Sequence, residues 1–252
     1  MSNDMHTTTN RQILATLVLM AATSATLSAT TDRPALNGFW KPATVLTSLR
    51  TSGGAAPPLN ASAQKLYADR AAAALKGDRS FDNGEKCLPI GITRLLAQSP
   101  FELAFTNSDV LFLYEWNRLQ RPADLRKTRI EFDRAYPYYL GHPMAWWDGN
   151  VLVVDSIYFH DDIVLDANGL PHSDALHLVE RYSLQDANTL IADVTVDDAK
   201  TFTKSWQTRF AFTRMDANAR LTEDVCEDRL GLQNLNTNRN RLPTPPTPGS
   251  RQ

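Results

Sequence analysis

Two histidines and one aspartate are the residues of this chain best suited by type and setting to proton-transfer chemistry. His142 lies in GHPMAWWDGNVLVVDS and His172 in GLPHSDAL, and each adjoins a proline that restricts its backbone. Asp155 lies within the apolar run VLVVDSIYF, where burial without a partner would raise its pKa and suit it to act as a general base. Since an imidazole both accepts and donates protons near neutral pH, we take His142, His172 and Asp155 as candidate catalytic residues.

Each of these candidates also has an ordinary structural explanation. Either imidazole can cap a strand end by bonding a backbone carbonyl, and Asp155 can form an ion pair with an arginine such as Arg94 or Arg181. A joint catalytic role requires both histidines at one rim of the fold, within hydrogen-bond reach of a substrate. The sequence alone leaves both explanations open.

The remaining polar groups form no recognised catalytic or metal-binding motif. His160 in FHDDIV adjoins Asp161 and Asp162, which suits either a cation site or a solvated loop. His177 and Glu180 lie three residues apart in a strand-like run, so they point to opposite faces and cannot act as a pair. The sequence has no H-E-x-x-H motif, nucleophile elbow or phosphate loop, and we therefore predict neither a metal nor a cofactor.

The elements that must position these residues are β-strands, because the hydrophobic pattern has a period of two from residue 101 onward. Around eight short apolar runs are joined by turn sequences such as WDGN, QDAN and DDAK, without intervening helices. The runs are FELAFTN, VLFLYEW, KTRIEFD, VLVVDSIYF, ALHLVERYSL, TLIADVTV, QTRFAFTRM and RLTEDVC. They predict an all-β, mainly antiparallel meander closed into an up-and-down barrel, with a two-sheet sandwich as the alternative.

The region before the strands predicts one helix and the start of the barrel. The helix covers NASAQKLYADRAAAALKG at 60–77, where Asn60 or Ser62 can cap it and Gly77 can end it. Ahead of it, GFW at 38–40 resembles the Gly-x-Trp signature of lipocalins, whose tryptophan plugs one end of an eight-stranded barrel. The resemblance implies a lipocalin-like barrel with one N-terminal helix.

Such a barrel encloses space that alternating strand residues line. We expect this interior to be apolar and to hold a small apolar or aromatic molecule. Tyr114, Trp147 and Phe159 are the candidate lining residues, and Arg94 is a further substrate-binding candidate. For Trp147 the alternative is plain aromatic packing beside the Asp-Gly hairpin turn of WDGN.

A string of longer motifs between residues 85 and 228 resembles a large family of exported, mostly uncharacterised bacterial proteins. The motifs are CLPIGITR, GHPMAWWDGNVLVVDS, LDANGLPHSDALHLVERY, VTVDDAKTFTKSW and EDVCED. The chain departs from the family pattern, since Pro143 replaces a serine and Ala145 a glycine beside His142. The resemblance implies export and supplies no particular reaction.

The two cysteines, Cys87 and Cys226, are predicted to form a disulfide between the segment after the helix and the last strand. Two cysteines without suitably spaced histidines make a poor zinc site, and a lone nucleophilic cysteine would not need the second one. A structural disulfide fits a chain that reaches an oxidising compartment.

The N-terminal residues predict export. ILATLVLMAA at 13–22 follows Arg11 and precedes small residues, so 1–29 is the predicted signal peptide, cleaved after Ala25 or Ala29. The apolar run is short for a membrane span, so stable membrane insertion is not expected, with an N-terminal anchor as the alternative. Residues 30–235 are then a single β-barrel domain of a periplasmic or secreted protein, and 236–252 a flexible proline-rich tail.

Composition excludes some classes of function. The chain is 42% hydrophobic and 21% charged, which is typical of a globular protein. With 26 basic and 28 acidic residues its net charge is −2, so the chain lacks the strong positive electrostatic field that attracts nucleic acid.

Our principal hypothesis is a cofactor-independent enzyme that catalyses isomerisation, cyclisation or elimination of a small apolar or aromatic substrate. The alternatives are a carrier of a hydrophobic ligand and an envelope protein that binds a partner through its loops and tail.

Overall fold

The structure, a computed structural model, describes residues 35–126 and 136–231 of the 252-residue chain. Three predictions lie outside the described residues: the signal peptide at 1–29, the strand-like run KTRIEFD at 127–133 and the tail at 236–252.

Nine strands form a closed barrel in which each strand pairs with its neighbours in sequence and the last pairs with the first. The strands are β1 (Gly38–Pro42), β2 (Phe101–Phe105), β3 (Asp109–Tyr114), β4 (Gln120–Asp124), β5 (His142–Asp148), β6 (Val151–Ile157), β7 (His177–Asp186), β8 (Thr189–Asp197) and β9 (Trp206–Arg214). The predicted all-β, up-and-down barrel is confirmed, and the sandwich alternative is wrong.

Alternating side chains build the barrel because successive residues of a strand point to opposite faces. In β9, Trp206, Thr208, Phe210 and Phe212 are buried and the residues between them are exposed. The inward rows of the strands merge into one apolar core, to which the α2 helix (Ile92–Gln98) adds residues between Ile92 and Ala97.

The barrel closes at β1, whose Trp40 is fully buried and donates its indole N–H to the Leu36 carbonyl at 2.9 Å. The guanidinium of Arg214, at the end of β9, lies 4.1 Å from the Trp40 ring centroid. Arg214 also donates to the carbonyls of Asn37 and Ala35. The strand that precedes the helix is thereby held to the last strand of the barrel.

The junction between β4 and β5, which we call the seam, is the exception to the antiparallel pattern. These two strands run parallel and share a single residue pair, Asp124 with Met144. Proline occurs in both strands, at Pro122 and Pro143, and proline has no N–H to offer a neighbouring strand. Among the described residues, the seam is therefore held by few backbone hydrogen bonds.

Helix α1 (Ala61–Leu75) confirms the predicted N-terminal helix, with the Asn60 side chain accepting from the Ala63 N–H at 2.9 Å. Helices α2 and α3 (Cys226–Arg229) were not predicted. None of the helices in the described part of the chain is long and apolar enough to cross a bilayer.

The Cys87–Cys226 disulfide is confirmed, with the two Cα atoms 5.5 Å apart. The prediction that it reaches the last strand is wrong, because RLTEDVC is not a strand and Cys226 opens helix α3. The disulfide instead ties this C-terminal helix to the segment that follows the short 3₁₀ turn Asn83–Lys86.

Candidate functional site

A cavity of about 500 Å³ lies at the seam, and we call it the seam cleft. Its walls come from β4, from the start of β5, from the end of β6 and from the segment Tyr138–Gly141 that leads into β5. The residues lining it are Pro89, Asp109, Gln120, Arg121, Pro122, Asp124, Arg126, Tyr138, Tyr139, Leu140, Gly141, His142, Pro143, Met144, Ile157 and Tyr158. Since Gln120, Pro122 and Asp124 form the outward row of β4, the cleft opens on the outer side of the barrel.

His142 is the candidate catalytic residue that borders the seam cleft. Its ring stacks on Tyr138, with centroids 4.1 Å apart, and meets Tyr158 edge-on at 5.8 Å. The Nε2 atom lies 3.2 Å from the carbonyl oxygen of Tyr136. Because a carbonyl only accepts, this contact places the proton of the neutral ring on Nε2 and its lone pair on Nδ1.

Strained backbone shapes the aromatic wall of the cleft. Tyr158 has φ +59°, a left-handed conformation that is uncommon for a residue with a side chain and often marks a functional segment. Gly141 has φ +66°, and a Cβ there would lie 2.7 Å from the Phe159 ring. The N–H of Tyr138 donates to the carbonyl of Tyr158, and the N–H of His160 donates to the carbonyl of Tyr138. These two hydrogen bonds hold the segment that leads into β5 against the segment that follows β6.

Charged groups mark the rim of the cleft. Asp109 and Asp124 face each other across β3 and β4, and like charges in that arrangement repel. Arg126 donates to both carboxylate oxygens of Asp124, from Nε at 2.9 Å and Nη2 at 3.0 Å, and lowers the pKa of that carboxyl. Asp109 accepts from the Ser108 hydroxyl, and within the described segments no cation lies at ion-pair distance from it.

Arg121 borders the cleft, while strand alternation points its side chain into the barrel interior, where it is 1% exposed. Its Nη atoms donate to Glu180 at 2.9 and 2.6 Å and to Ser156 Oγ at 2.7 Å. The Tyr182 hydroxyl donates to the same carboxylate at 2.6 Å. Burial by itself would lower the pKa of Arg121, but Glu180 raises it overall.

Two polar atoms beside this buried pair form no well-aligned hydrogen bond among the described residues, although they belong to two side chains that lie close enough to interact with each other. They are Nε of Arg121 and the hydroxyl of Tyr114, which is 1% exposed. Burial raises the pKa of the Tyr114 phenol above its ordinary value, so the hydroxyl stays protonated. Unsatisfied buried polar groups are rare and often mark a position where a ligand or water binds.

His172 does not border the seam cleft, so the structure does not bring the two predicted catalytic histidines together there. It is 8% exposed, and its Nδ1 donates to the Ser173 carbonyl at 2.8 Å. Burial lowers the pKa of this imidazole, and the Ser173 bond and Asp198 oppose the shift. The Nδ1 bond matches the alternative of a histidine that caps a backbone carbonyl, while its Nε2 is buried without a hydrogen-bond partner among the described residues.

Asp155 is also absent from the residues that line the seam cleft. It belongs to the outward row of β6, and its Oδ1 lies 3.1 Å from Nε2 of His177 on β7. The alternative of an ion pair between Asp155 and Arg94 or Arg181 is not seen, because Arg94 pairs with Asp82 and Arg181 pairs with Asp148. The prediction that His177 and Glu180 point to opposite faces is confirmed, because Glu180 bonds Arg121 inside the barrel.

The four predicted substrate-binding residues lie in different places, and none lines the seam cleft. Tyr114 and Phe159 are fully buried in the core. Trp147 is half-buried and stacks on Phe105 with ring centroids 5.9 Å apart. Arg94 forms a buried ion pair with Asp82 at 2.5 Å, which accounts for it as a structural residue.

His160 forms a local pair rather than a metal site. Its Nδ1 lies 2.7 Å from Asp162, and its ring stacks on Tyr139 with centroids 4.7 Å apart. Across the described segments, no three His, Cys, Asp or Glu side chains group closely enough to hold a metal ion. The pair therefore fits the solvated-loop alternative.

A second cavity, of about 630 Å³, lies between the loop at 51–58 and strands β8 and β9. It is more open than the seam cleft and is lined mainly by small residues, with Lys204 and the edge of Trp206. Its described lining contains no histidine, aspartate or glutamate. The seam cleft is therefore the better candidate for chemistry.

Sequence reasoning missed the buried pair and the tyrosines of the cleft. One signal was available for Glu180, which shares the inward row of β7 with Leu178 and Tyr182. A carboxylate on an otherwise apolar face requires a buried partner. Nothing in QRPAD, the sequence of β4, identifies Arg121 as that partner.

No protein-family model and no curated protein matches the chain. The resemblance to exported bacterial proteins therefore stays a prediction from its motifs. Two of the departures from that pattern lie beside His142: Pro143 borders the seam cleft and Ala145 is fully buried. Both replacements alter the strand that carries the histidine.

Proposed function

We propose that the protein binds a small, largely apolar or aromatic molecule in the seam cleft. The observation that carries the proposal is the cleft itself, whose volume of about 500 Å³ falls in the range typical of small-molecule sites. Its described walls combine aromatic rings, aliphatic side chains and prolines with a few polar groups. That combination suits a ligand that is buried by apolar contact and oriented by one or two hydrogen bonds.

The cleft differs from the site expected in the barrel interior. Core side chains such as Phe101, Phe112 and Phe212 fill that interior, with ring centroids 5.0 to 6.2 Å apart. Tightly packed aromatic rings leave little space between them for a ligand. The ligand therefore belongs at the seam, outside the packed interior.

Dye binding tests this proposal. Nile red, an uncharged environment-sensitive dye, is expected to bind the wild-type protein with a blue-shifted emission. Met144→Trp fills the cleft with a larger side chain and should weaken binding at least tenfold. Leu66→Trp, at an exposed position of α1, is the matched control and should bind like the wild type. Equal binding by all three proteins would contradict the proposal.

A second candidate function, acid–base catalysis on the bound molecule, is favoured by the position of His142. The Tyr136 carbonyl accepts from Nε2 of the neutral imidazole, and the ring lies on the wall of the cleft, where an imidazole can exchange a proton with a bound molecule. This second proposal uses His142 alone of the three predicted catalytic residues, with isomerisation, cyclisation or elimination as the reaction types.

Deuterium exchange separates catalysis from binding alone. A bound ketone in heavy water should exchange its α-protons faster than the free ketone if His142 removes them, and NMR measures this directly. His142→Gln should abolish the acceleration and leave Nile red binding within twofold. A carrier without catalytic activity would show no acceleration in either protein.

We also propose that the protein is exported to the periplasm or secreted. The disulfide supports an oxidising compartment, and the run at 13–22 supports a cleaved signal peptide. Mass spectrometry of protein purified from its native host should find a mature chain that begins after Ala25 or Ala29. An intact N-terminus with two free thiols would contradict export.

A further inference from the structure

We propose that the ligand of the seam cleft carries one positive charge on an otherwise apolar body, and that Asp109 and the Tyr158 ring recognise this organic cation. The inference rests on the proposed function and specifies the class of ligand. Its two observations are a carboxylate on the outward wall of the cleft without a described counter-charge, and aromatic rings that line the same cavity.

Asp109 lies on the outer side of the barrel. It opens β3 in the row of partly exposed residues, whereas Val110, next along the strand, is buried in the interior. Asp109 pairs in register with Asp124, and Asp124 pairs with Met144, so these three residues form one row across three strands. All three are partly exposed and line the cleft. A ligand in the outward-opening cleft therefore reaches this row without entering the core.

The charges along this row leave one carboxylate without a counter-charge among the described residues. Arg126 donates to both carboxylate oxygens of Asp124. The Asp109 carboxylate, directly opposite, accepts from the neutral hydroxyl of Ser108. Like charges that face each other across two strands repel, so a ligand cation beside Asp109 offsets a repulsion that the empty protein retains.

The aromatic rings of the cleft supply a second means of binding a cation. Tyr158 lines the cavity, is partly exposed and meets the His142 imidazole edge-on. Tyr138 stacks on the same imidazole and is 49% exposed. The face of an aromatic ring attracts an organic cation, and the attraction strengthens where water is partly excluded. Rings and a carboxylate in one cavity therefore fit a ligand with an apolar body and a cationic group.

An anionic ligand fits the cleft less well. Of the two arginines in the described lining, Arg126 is paired with Asp124. The Arg121 guanidinium lies in the barrel interior, where Glu180 neutralises it. A ligand carboxylate or sulfonate would therefore meet the Asp109 carboxylate with no described cation to offset the repulsion.

Three molecules of nearly the same shape test the inference: phenyltrimethylammonium, tert-butylbenzene and benzenesulfonate. Ligand-observed NMR titration measures their affinities for the wild-type protein without the dye. The cation should bind about tenfold more tightly than the hydrocarbon, and the sulfonate should bind most weakly. Raising the ionic strength from about 0.01 to 0.15 M should weaken binding of the cation and not of the hydrocarbon.

Two pairs of variants test the named residues. Asp109→Asn removes the charge at constant shape and should reduce the tenfold preference to about threefold, with the affinity for tert-butylbenzene within twofold of the wild type. Asp193→Asn, which removes a carboxylate from the outer face of β8, is the matched control and should keep the full preference. Tyr158→Leu should also reduce the preference to about threefold, whereas Tyr158→Phe retains the ring and should not.

The stability of the variants keeps the test decisive. Asp109→Asn removes the repulsion with Asp124 and should not lower the thermal stability, so its loss of cation preference cannot come from unfolding. If Tyr158→Leu does not fold, the comparison of Asp109→Asn with Asp193→Asn and the salt dependence of the wild type decide.

The outcomes separate this inference from the proposed function. Equal affinity for cation and hydrocarbon overturns the cationic ligand and leaves small-molecule binding intact. Tightest binding of benzenesulfonate overturns it as well and assigns recognition to an arginine. A cation preference that Asp109→Asn retains in full overturns the role of Asp109. If none of the three molecules binds and Nile red does not bind either, the seam cleft is not a ligand site and both proposals fail.

Discussion

The β7–β8 ladder and the seam differ in how the backbone holds each region together. β7 and β8 share nine residue pairs, whereas β4 and β5 share one. The cleft with its histidine and its strained tyrosine lies at the second of these regions. Regions with few backbone hydrogen bonds open at lower free energy and tend to carry binding sites. At the seam, the side chain of Arg121 connects β4 to β6 and β7 through Ser156 and Glu180 and not to its neighbour β5.

The largest expected effect comes from breaking the buried pair that connects β4 to β7 across the interior. Glu180→Ala leaves Arg121 buried without its carboxylate and should lower the free energy of unfolding by about 3–5 kcal/mol. Asp193→Ala is the matched control, since it removes a carboxylate from an exposed Arg209 pair on the ladder side and should cost about 0–1 kcal/mol. Urea denaturation measures both, and similar losses would contradict the comparison.

Removing the disulfide should have the next largest effect. The Cys87→Ala, Cys226→Ala double variant opens a loop of 139 residues and should lose about 2–5 kcal/mol of unfolding free energy. Pro89, which borders the cleft, lies two residues from Cys87, so Nile red binding should weaken as well. Unchanged dye binding in a destabilised variant would show that the disulfide supports the fold and not the cleft.

Two glycine-to-alanine substitutions should have a smaller effect, and the comparison between them tests how the segment at the cleft is packed. Gly141→Ala combines a left-handed φ with a clash against Phe159 and should cost about 1–3 kcal/mol while weakening dye binding. Gly149, in the β5–β6 turn, also has a left-handed φ, but a Cβ there meets open space. Gly149→Ala should cost about 1 kcal/mol and leave binding unchanged. Calorimetric unfolding and dye titration check both variants.

The smallest expected effect is a pH dependence of the free energy of unfolding, which comes from His172, a residue outside the seam cleft. Burial lowers the pKa of this imidazole in the folded protein below its ordinary value of 6.5. The unfolded chain therefore binds more protons as the pH falls through 6.5, and stability decreases by up to about 1.4 kcal/mol per pH unit. His172→Gln should remove this part of the slope between pH 7.5 and 5.5. Identical slopes in urea denaturation would contradict the assignment.

Much of the barrel could be predicted because alternation is a local property of the sequence. Runs such as TLIADVTV and QTRFAFTRM became β8 and β9, and GFW marked the first strand. β4 could not be predicted from the same rule, because QRPAD lacks an apolar alternation and contains a proline. The parallel seam was therefore missed, and with it the place where the cleft forms.

The candidate site was predicted only in part, because its groups are partners across long sequence separations. His142 was found from its setting beside Pro143, and the structure places both on the cleft. Arg121 and Glu180 are 59 residues apart, and their pairing depends on the barrel that brings β4 and β7 together. Asp155 is held by His177 from the adjacent strand, a partner that only the strand register identifies.

The contact between Trp40 and Arg214 has a consequence for the order in which the chain folds. β1 is the first strand made, yet its partner on one side is β9, and Arg214 bonds carbonyls 177 and 179 residues earlier in the chain. Contacts of such long sequence separation form slowly, because the loop between them must be closed first. Until β9 is available, β1 and β8 each present an unpaired edge that can pair with another chain. Truncation before Trp206, which removes β9, should therefore yield an aggregating chain and not a smaller barrel.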